Sequence, residues 1–316
     1  MKEAFSYVRP ACDFAGVLSD EASVGVVNGR LEAYNKELSI SIPVDMPDFA
    51  VPAADFDFAM RKHEDPSIKV TEKSVMLAGK TRVRRLADRH ALKRPEVETN
   101  AVTNVGDLLE VIDEIFAFTA GDPARPWAEG ARFDQTTVTA TNSVMLIQAE
   151  LHADSGLEGV TVSRAALAYI RLRRAALKAW TWTERGLLID FDDGSWCLAA
   201  RLAMEMPDQA VNLLQVIDNW DDMQDVTTDY KASIMRAGEW ADDVLTLRPS
   251  EIHAGRLSTD HTESVITTLS GEEAVFAASD LVTVVSKAER IAFDRYPKPC
   301  PFITARGSKG LIAGRS

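Results

Sequence analysis

The chain has 316 residues, of which 46% are hydrophobic and 26% are charged. This length allows two or three domains that each bury a core, and the composition is that of a globular protein. No window reaches the roughly 18 apolar residues of a membrane-spanning helix, and the first residues lack the apolar core of a signal peptide. Cys12, Cys197 and Cys300 have the spacing of neither a disulfide framework nor a zinc site. We therefore expect a cytoplasmic protein without a metal or cofactor.

The net charge of −13 argues at first against nucleic-acid binding. However, five basic residues and no acidic one lie between Gly159 and Thr183. Seven basic residues lie between Lys80 and Arg94, opposed only by Asp88. The charge is therefore polarised: most of the surface repels nucleic acid, and one inner or one-sided surface attracts it.

Helices and strands alternate along the chain. The first strands are predicted at 11–18, and the turn Asn28-Gly29 predicts a hairpin, as does Asp193-Gly194. Alternating apolar residues predict strands at 38–42 and 244–247. Pro52 suits the first turn of a helix and Ser163 is a plausible N-cap. Five helices are predicted, at 55–63, 106–118, 163–176, 228–240 and 279–290.

Two segments recur at similar spacing. Residues 71–76 (TEKSVM) are repeated in 183–188 (TERGLL), and residues 31–35 (LEAYN) match 138–142 (VTATN). Such self-similarity indicates a repeated supersecondary unit, here a helix followed by antiparallel strands. We predict three domains, at 1–98, 99–216 and 217–316. The first is expected to be truncated and to lack its leading helix, because only about ten residues, interrupted by Pro10, precede the first predicted strands.

These motifs, in this order, resemble the bacterial DNA sliding clamp, the beta subunit of DNA polymerase III. The segments that carry the resemblance are 28–33 (NGRLEA), 49–53 (FAVPA), 138–142 (VTATN), 201–208 (RLAMEMPD) and 310–316 (GLIAGRS). Departures such as Asn142-Ser143 in place of aspartate-glycine, and Glu205 in place of glycine, indicate a divergent form of the kind that a phage could encode.

The resemblance implies an α+β clamp fold, in which helices line a ring and antiparallel sheets form its outside. It implies a processivity factor that encircles double-stranded DNA without reading its sequence. It also implies head-to-tail subunits, most simply a homodimer, and short peptide motifs through which DNA polymerase and the clamp loader bind.

Basic residues on the predicted helices are candidates to face DNA. On the helix starting at 163, Arg164, Arg171, Arg174 and Lys178 form a stripe without interspersed acids, opposite an apolar face. A solvated stripe is the alternative. Acids accompany the remaining candidates, which are Arg61, Lys62, Lys231, Arg236, Lys287 and Arg290.

The basic window at 80–94 has more than one interpretation. Lys80, Arg82 and Arg84 alternate on one strand face and Val83 points the other way. The resemblance makes this strand the edge that meets the third domain of the next subunit, where Glu263, Glu272 and Glu273 supply opposite charge. A DNA contact and a solvated strand are the alternatives.

The resemblance also implies an apolar pocket for partner peptides. The matching residues are Thr141, Ser143, Met145, Leu146, Pro207, Val211, Ile312 and Arg315. A cleft with apolar walls and a few polar groups suits a short extended peptide. The alternative is that Leu146 and Ile312 are core residues.

No catalytic constellation is found. Residues 190–194 (DFDDG) are best explained as a hairpin turn, and the aspartates at 218, 221, 222 and 225 have no histidine ligand nearby. Walker A, H-E-x-x-H and G-x-S-x-G sequences are absent. We therefore predict a sliding clamp rather than an enzyme. The alternatives are a non-DNA assembly protein that reuses the domain, and a metal-dependent hydrolase that uses Asp192 and Asp193.

Overall fold

Helices and antiparallel strands alternate in the computed structural model, which describes residues 1–14, 22–64, 66–87, 89–97, 107–121, 124–217, 220–256, 259–265 and 269–315. The helices are α1 Lys2–Val8, α2 Ala53–Arg61, α3 Leu108–Ile115, α4 Arg164–Leu172, α5 Asp208–Asn212, α6 Thr228–Trp240 and α7 Ala278–Lys287. In this part of the chain, no helix combines the length and apolar character that crossing a membrane requires.

The strands are short, and all of their pairings are antiparallel. Strands β1–β7 are Ser23–Val27, Arg30–Tyr34, Leu38–Pro43, Phe49–Pro52, Ile68–Val70, Ser74–Leu77 and Thr81–Arg84. Strands β8–β14 are Gly130–Asp134, Thr137–Thr141, Met145–Glu150, Glu158–Ser163, Leu177–Thr183, Gly186–Phe191 and Trp196–Ala200. Strands β15–β22 are Gln224–Asp225, Val244–Arg248, Glu251–Arg256, Thr259–Ser264, Ala274–Ala277, Ala288–Ile291, Cys300–Thr304 and Lys309–Ile312.

The chain divides into two compact units, one of residues 1–109 and 165–202 and the other of residues 110–164 and 203–316. The first unit contains a seven-stranded sheet of order β12-β13-β14-β3-β2-β1-β4 and the small sheet β5-β6-β7. Strand β14 pairs with β3, so one sheet contains strands from both sides of the expected domain boundary at 98/99. That boundary itself lies outside the described residues, and the three-domain division stays a prediction.

Helices cover one face of the seven-stranded sheet. Val26 and Phe49 pair on neighbouring strands and therefore share this face. The ring of Phe49 lies 5.9 Å from that of Phe56 on α2, which in turn lies 5.1 Å from Phe5 on α1. The apolar core of the first unit is thus formed between these helices and this face of the sheet.

The segment 89–97 crosses the opposite face. Leu92 and Val97 pack on the buried side chains of Leu188, Trp196 and Leu198. The backbone N–H of Leu92 also donates to Glu32, which is 1% exposed. Burial raises the pKa of Glu32. The crossing segment is therefore held by apolar contacts and by a buried carboxyl group.

The second unit contains an eight-stranded sheet of order β11-β8-β9-β10-β22-β21-β20-β15 and a four-stranded sheet of order β18-β17-β16-β19. Helices α6 and α7 touch closely where Gly238 meets Val282, since a Cβ at Gly238 would lie 2.6 Å from Val282 Cγ2. On α3, the buried carboxylate of Glu114 accepts hydrogen bonds from Thr304 and Ser308, which flank the β21–β22 turn. This contact fixes the hairpin to α3.

The prediction that the first repeat lacks its leading helix is wrong. Helix α1 is present, followed by a 3-10 turn at Arg9–Ala11, and the first described strand is β1 rather than 11–18. Phe5 and Val8 are buried on one face of α1. Pro10 lies in the 3-10 turn, so it ends this helix instead of preventing it. With α1 included, six of the described helices have seven or more residues.

The helix predicted at 163–176 is shorter than expected. It ends at Leu172, and β12 begins at Leu177 after a 3-10 turn. The residue after Leu172 is Arg173, whose side chain is 3% exposed. Its guanidinium group lies 4.3 Å from the ring of Tyr7 and pairs with Asp193 at 2.7 Å. The helix predicted at 279–290 also ends early, at residue 287. In the segment predicted to be helical at 106–118, the structure has helix α3 followed by a 3-10 turn.

Both predicted hairpin turns are present. Asn28 and Gly29 have φ of 52° and 70°, as a two-residue turn of the mirror-image type requires. Gly194 has φ of 77° in the β13–β14 turn. The helix at 228–240 has the predicted bounds, and its Thr227 side chain accepts from the N–H of Tyr230 as an N-cap.

We expect Asp193→Ala to lower the free energy of unfolding by about 2 kcal/mol, because it leaves the buried Arg173 without its carboxylate. The expected loss of stability is smaller than for a fully buried ion pair, because the carboxylate of Asp193 is half exposed. Partial burial acts to raise the pKa of Asp193. Hydrogen bonds from Ser195 and the charge of Arg173 outweigh this effect and hold that pKa below its ordinary value. The stabilisation is therefore present above that ordinary value and is lost as pH falls through the lowered pKa.

Urea titration at several pH values measures this effect, with Asp192→Ala at the exposed neighbouring position as the control. Equal losses for the two variants would contradict the assigned role of Asp193.

Candidate partner and nucleic-acid surfaces

Arg164 has a structural role at the start of α4. Its Nη1 donates to the carbonyl of Phe116 at 3.0 Å and to that of Thr119 at 2.7 Å. The guanidinium group also lies 4.2 Å from the Phe116 ring. These contacts lie within the second unit and engage the guanidinium group of Arg164, which was predicted to belong to the basic stripe.

The rest of that stripe is divided between different elements. Arg171 is exposed at the end of α4, and Arg174 is exposed in the 3-10 turn that follows. Lys178 is exposed on β12 rather than on a helix. The prediction of one continuous helical stripe is therefore wrong, because the helix ends before Arg173.

Candidate bases on α2 remain at the surface. The side chain of Arg61 is 66% exposed and pairs with Asp57 at 2.9 Å, while Asp57 also binds Arg9. Lys62 is exposed, with its Nζ 5.2 Å from the ring of Phe58. One carboxylate thus faces two arginines, and the end of α2 keeps a net positive charge.

The candidates in the second unit lie on three elements. Lys231 is half-buried on α6, and Arg236 on the same helix pairs with Glu263 at 2.9 Å. Lys287 ends α7, whereas Arg290 lies on β20 and was wrongly predicted to be helical.

An apolar cluster lies on one face of the eight-stranded sheet. Leu146 on β10 and Leu311 on β22 pair directly, and both pack with Leu214. Partly buried Ile217 and Trp220 pack against these three leucines. The Nζ of Lys309 lies 5.3 Å from the Trp220 ring. The result is an apolar surface with a cationic rim, which we call the leucine–tryptophan cluster.

The structure does not bring all eight predicted pocket residues together. Met145 and Ile312 pair with each other next to Leu146 and Leu311, so they lie on the opposite face of the sheet and are buried there. The hydroxyl of Thr141 donates to the Met145 carbonyl at 2.6 Å, which braces the tight turn at Ser143. The alternative that Leu146 and Ile312 are core residues agrees with their burial, since they are 4% and 0% exposed.

The remaining predicted pocket residues lie at the edges of this region. Pro207 precedes the short helix α5, and Val211 lies within it. Leu214 lies in the 3-10 turn that follows this helix. The guanidinium group of Arg315 pairs with Asp243. The motif comparison missed Leu214, Ile217 and Trp220 because only the strand pairing shows which face the cluster occupies.

One strand edge was predicted to meet the third domain of the next subunit, with three acids there supplying opposite charge. In the first unit, β7 is an edge of its sheet, with Lys80, Arg82 and Arg84 exposed and Val83 4% exposed. In the second unit, β18 is an edge strand and carries Glu263, which also accepts from His261. The carboxylate of Glu273 pairs with Arg248 at 3.0 Å, and Glu272 is exposed. Two of the three predicted acids therefore have partners within the chain.

The carboxylates considered for catalysis are not assembled. In the described part of the chain, no group of three or more histidine, cysteine, aspartate or glutamate side chains could hold a metal ion. Asp193 binds Arg173 and Ser195, as its place in a hairpin turn requires. Asp218 lies outside the described residues.

No protein-family model and no curated protein matches the sequence. Solved structures do. The beta subunit of DNA polymerase III from Caulobacter crescentus is 17% identical, with a TM-score of 0.76 over 100% of this chain and 97% of that chain. The chain has the sliding-clamp fold.

Other solved sliding clamps are also similar in structure to this chain. The Helicobacter pylori beta clamp bound to a DNA ligase peptide has a TM-score of 0.74 at 13% identity, and the match covers 100% of this chain and 97% of that one. The Pseudomonas aeruginosa sliding clamp bound to griselimycin has a TM-score of 0.73 at 15% identity with the same coverage. The predicted α+β clamp fold is confirmed over the entire chain.

Proposed function

We propose that the protein is a sliding clamp, a processivity factor that encircles double-stranded DNA and tethers the replicative polymerase. The observation that carries this proposal is the match of the entire chain to bacterial clamps at a TM-score of 0.76. On this proposal it acts in the cytoplasm, has no catalytic activity of its own, and closes as a head-to-tail homodimer that a clamp loader opens. A non-DNA assembly protein with the same fold is the alternative to be tested.

Basic residues on the helices and directly after them support the DNA-binding part of the proposal. Those that remain candidates are Arg61, Lys62, Arg171, Arg174, Lys231, Arg236 and Lys287. Lysine and arginine that neutralise phosphates bind without sequence preference and release counterions, and such contacts allow sliding. Since the whole chain has a net charge of −13, the rest of its surface is strongly acidic and disfavours unspecific adhesion to nucleic acid.

The edge strands support head-to-tail closure. An exposed strand edge presents unpaired N–H and C=O groups that a strand of another chain can satisfy. We propose that β7, with Arg82 and Arg84, pairs with the edge strand β18 of the neighbouring subunit. On β18, Glu263 supplies opposite charge by exchanging its present partners, whereas Glu272 precedes β19 at the other edge of that sheet.

We expect the loaded protein to stay on nicked circular DNA and to slide off once the circle is cut, because a ring holds DNA by topology. Gel filtration of loaded complexes before and after cutting measures retention. Equal loss from circular and linear DNA, together with a monomer in solution, would favour the assembly-protein alternative.

We expect Arg171→Ala combined with Arg174→Ala to weaken association with DNA and to flatten its salt dependence. The slope of log K against log salt should fall by about 0.9 for each lost phosphate contact. Binding titrations between low and moderate salt measure this slope.

The control for this pair is Lys69→Ala with Arg185→Ala, which removes the same charge from exposed positions on β5 and the β12–β13 turn. If both double variants change the slope equally, the end of α4 does not contact DNA.

The leucine–tryptophan cluster supports the recruitment of partners. Its three leucines are buried, and the partly buried Trp220 packs against them beside the Lys309 ammonium group. Such a surface suits a short peptide with leucine or aromatic anchors and an acidic or carbonyl group near the lysine. We propose that polymerase and clamp loader bind here.

We expect Trp220→Ala to weaken binding of a leucine- and phenylalanine-containing clamp-binding peptide about tenfold or more, because interface tryptophans dominate binding energy. Fluorescence anisotropy with labelled peptide measures the affinity. The matched control is Trp240→Ala, which removes an exposed tryptophan from α6. A similar loss in both variants would argue against the cluster as the peptide site.

A further inference from the structure

A cavity of about 600 Å³ opens on the face of the seven-stranded sheet that the segment 89–97 crosses. This volume is in the range of ligand-binding clefts. All of its lining belongs to the first unit. The residues that matter for its chemistry are Arg30 on β2, Leu92 and Arg94 on the crossing segment, and Lys178, Asp190 and Trp196 on β12–β14.

The lining carries three cations and one carboxylate. Arg94 neutralises that carboxylate, since its Nη2 donates to both oxygens of Asp190 at 2.8 and 3.0 Å. Arg30 interacts with the buried carboxyl group of Glu32 through Ser41, whose Oγ accepts from Arg30 and donates to Glu32. Lys178 has no carboxylate partner among the described residues, so the lining keeps an excess of positive charge. The cleft is therefore cationic in a chain whose net charge is −13.

Lys178 lies at a β-bulge in strand β12. Leu177 pairs with Phe191 and Ala179 pairs with Asp190, so Lys178 is the extra residue of a β-bulge. Bulges redirect side chains, and this one brings Lys178 into the lining of the cleft. Its ammonium group is exposed and has no acceptor among the described residues.

The guanidinium group of Arg30 is fixed by hydrogen bonds from two of its three nitrogens. Its Nε donates to Ser41 Oγ at 2.7 Å, and its Nη2 donates to the carbonyl oxygens of Ser41 and Gly194. Within the part of the chain that the structure describes, Nη1 has no acceptor. A fixed arginine with a free N–H group is a preorganised donor for an anionic oxygen.

We propose that this cleft binds an acidic peptide segment of a partner protein, whose carboxylates pair with Arg30 and Lys178. The cleft is much larger than a single oxyanion, and its cations come from separate elements, as an extended chain requires. Trp196 is only 5% exposed, so the cleft offers no aromatic face for a nucleobase. The sheet face is also opposite to the one that the helices cover. The proposal does not depend on clamp function.

The test is fluorescence anisotropy of the full-length protein with a fluorescein-labelled peptide of alternating glutamate and serine. Lys178→Glu should weaken binding about tenfold, because it replaces an attraction by a repulsion, and Lys178→Ala about threefold. Lys69→Glu, at an exposed lysine on β5, should leave binding unchanged. Asp190→Asn should tighten binding about threefold, because Arg94 then joins the free cations.

The Asp190→Asn variant separates recognition from structure, since loss of a merely structural ion pair would not improve affinity. Melting temperatures establish that each variant is folded. The proposal is overturned if the wild type fails to bind the peptide, if Lys178→Glu and Lys69→Glu behave alike, or if a serine-only peptide binds equally well. It is also overturned in favour of a nucleic-acid site if duplex DNA competes with the same dependence on Lys178.

Discussion

The pairing of β14 with β3 is the constraint on which the first unit depends. Register from Trp196 opposite Ser41 to Ala199 opposite Leu38 joins strands that are far apart in the chain into one sheet. That sheet has a helical face, where Phe49 meets Phe56, and a second face crossed by the segment 89–97. The basic cleft, whose lining combines Arg30 on β2 with residues of β12–β14, depends on this pairing.

Local chemistry made much of the fold predictable. Asn28-Gly29 and Asp193-Gly194 form turns because glycine and asparagine accept positive φ, and 228–240 is helical because Thr227 caps it. The order of the repeated motifs along the chain was sufficient to predict the clamp fold. In contrast, α1 was missed because Pro10 was taken to interrupt the segment, whereas it only ends the helix.

The candidate surfaces were less predictable, since they depend on long-range contacts. Arg164 was predicted to share a basic stripe with Arg171, yet it donates to carbonyl groups, and Arg173 of the same basic window is buried between aromatic rings. Similarly, Met145 and Leu146 are equally apolar neighbours, and only the pairing of β10 with β22 shows that Leu146 alone faces Leu214. Spacing identifies a face of an element, but not what covers that face.

The place of β22 in its sheet has a consequence for biosynthesis. Residues 309–312 lie between β10 and β21 and join the two halves of the eight-stranded sheet. Strand β10 must therefore wait, with one edge unpaired, until the segment that follows β21 leaves the ribosome. The leucine–tryptophan cluster stays incomplete until the same segment has been made, because Leu311 is one of its three buried leucines.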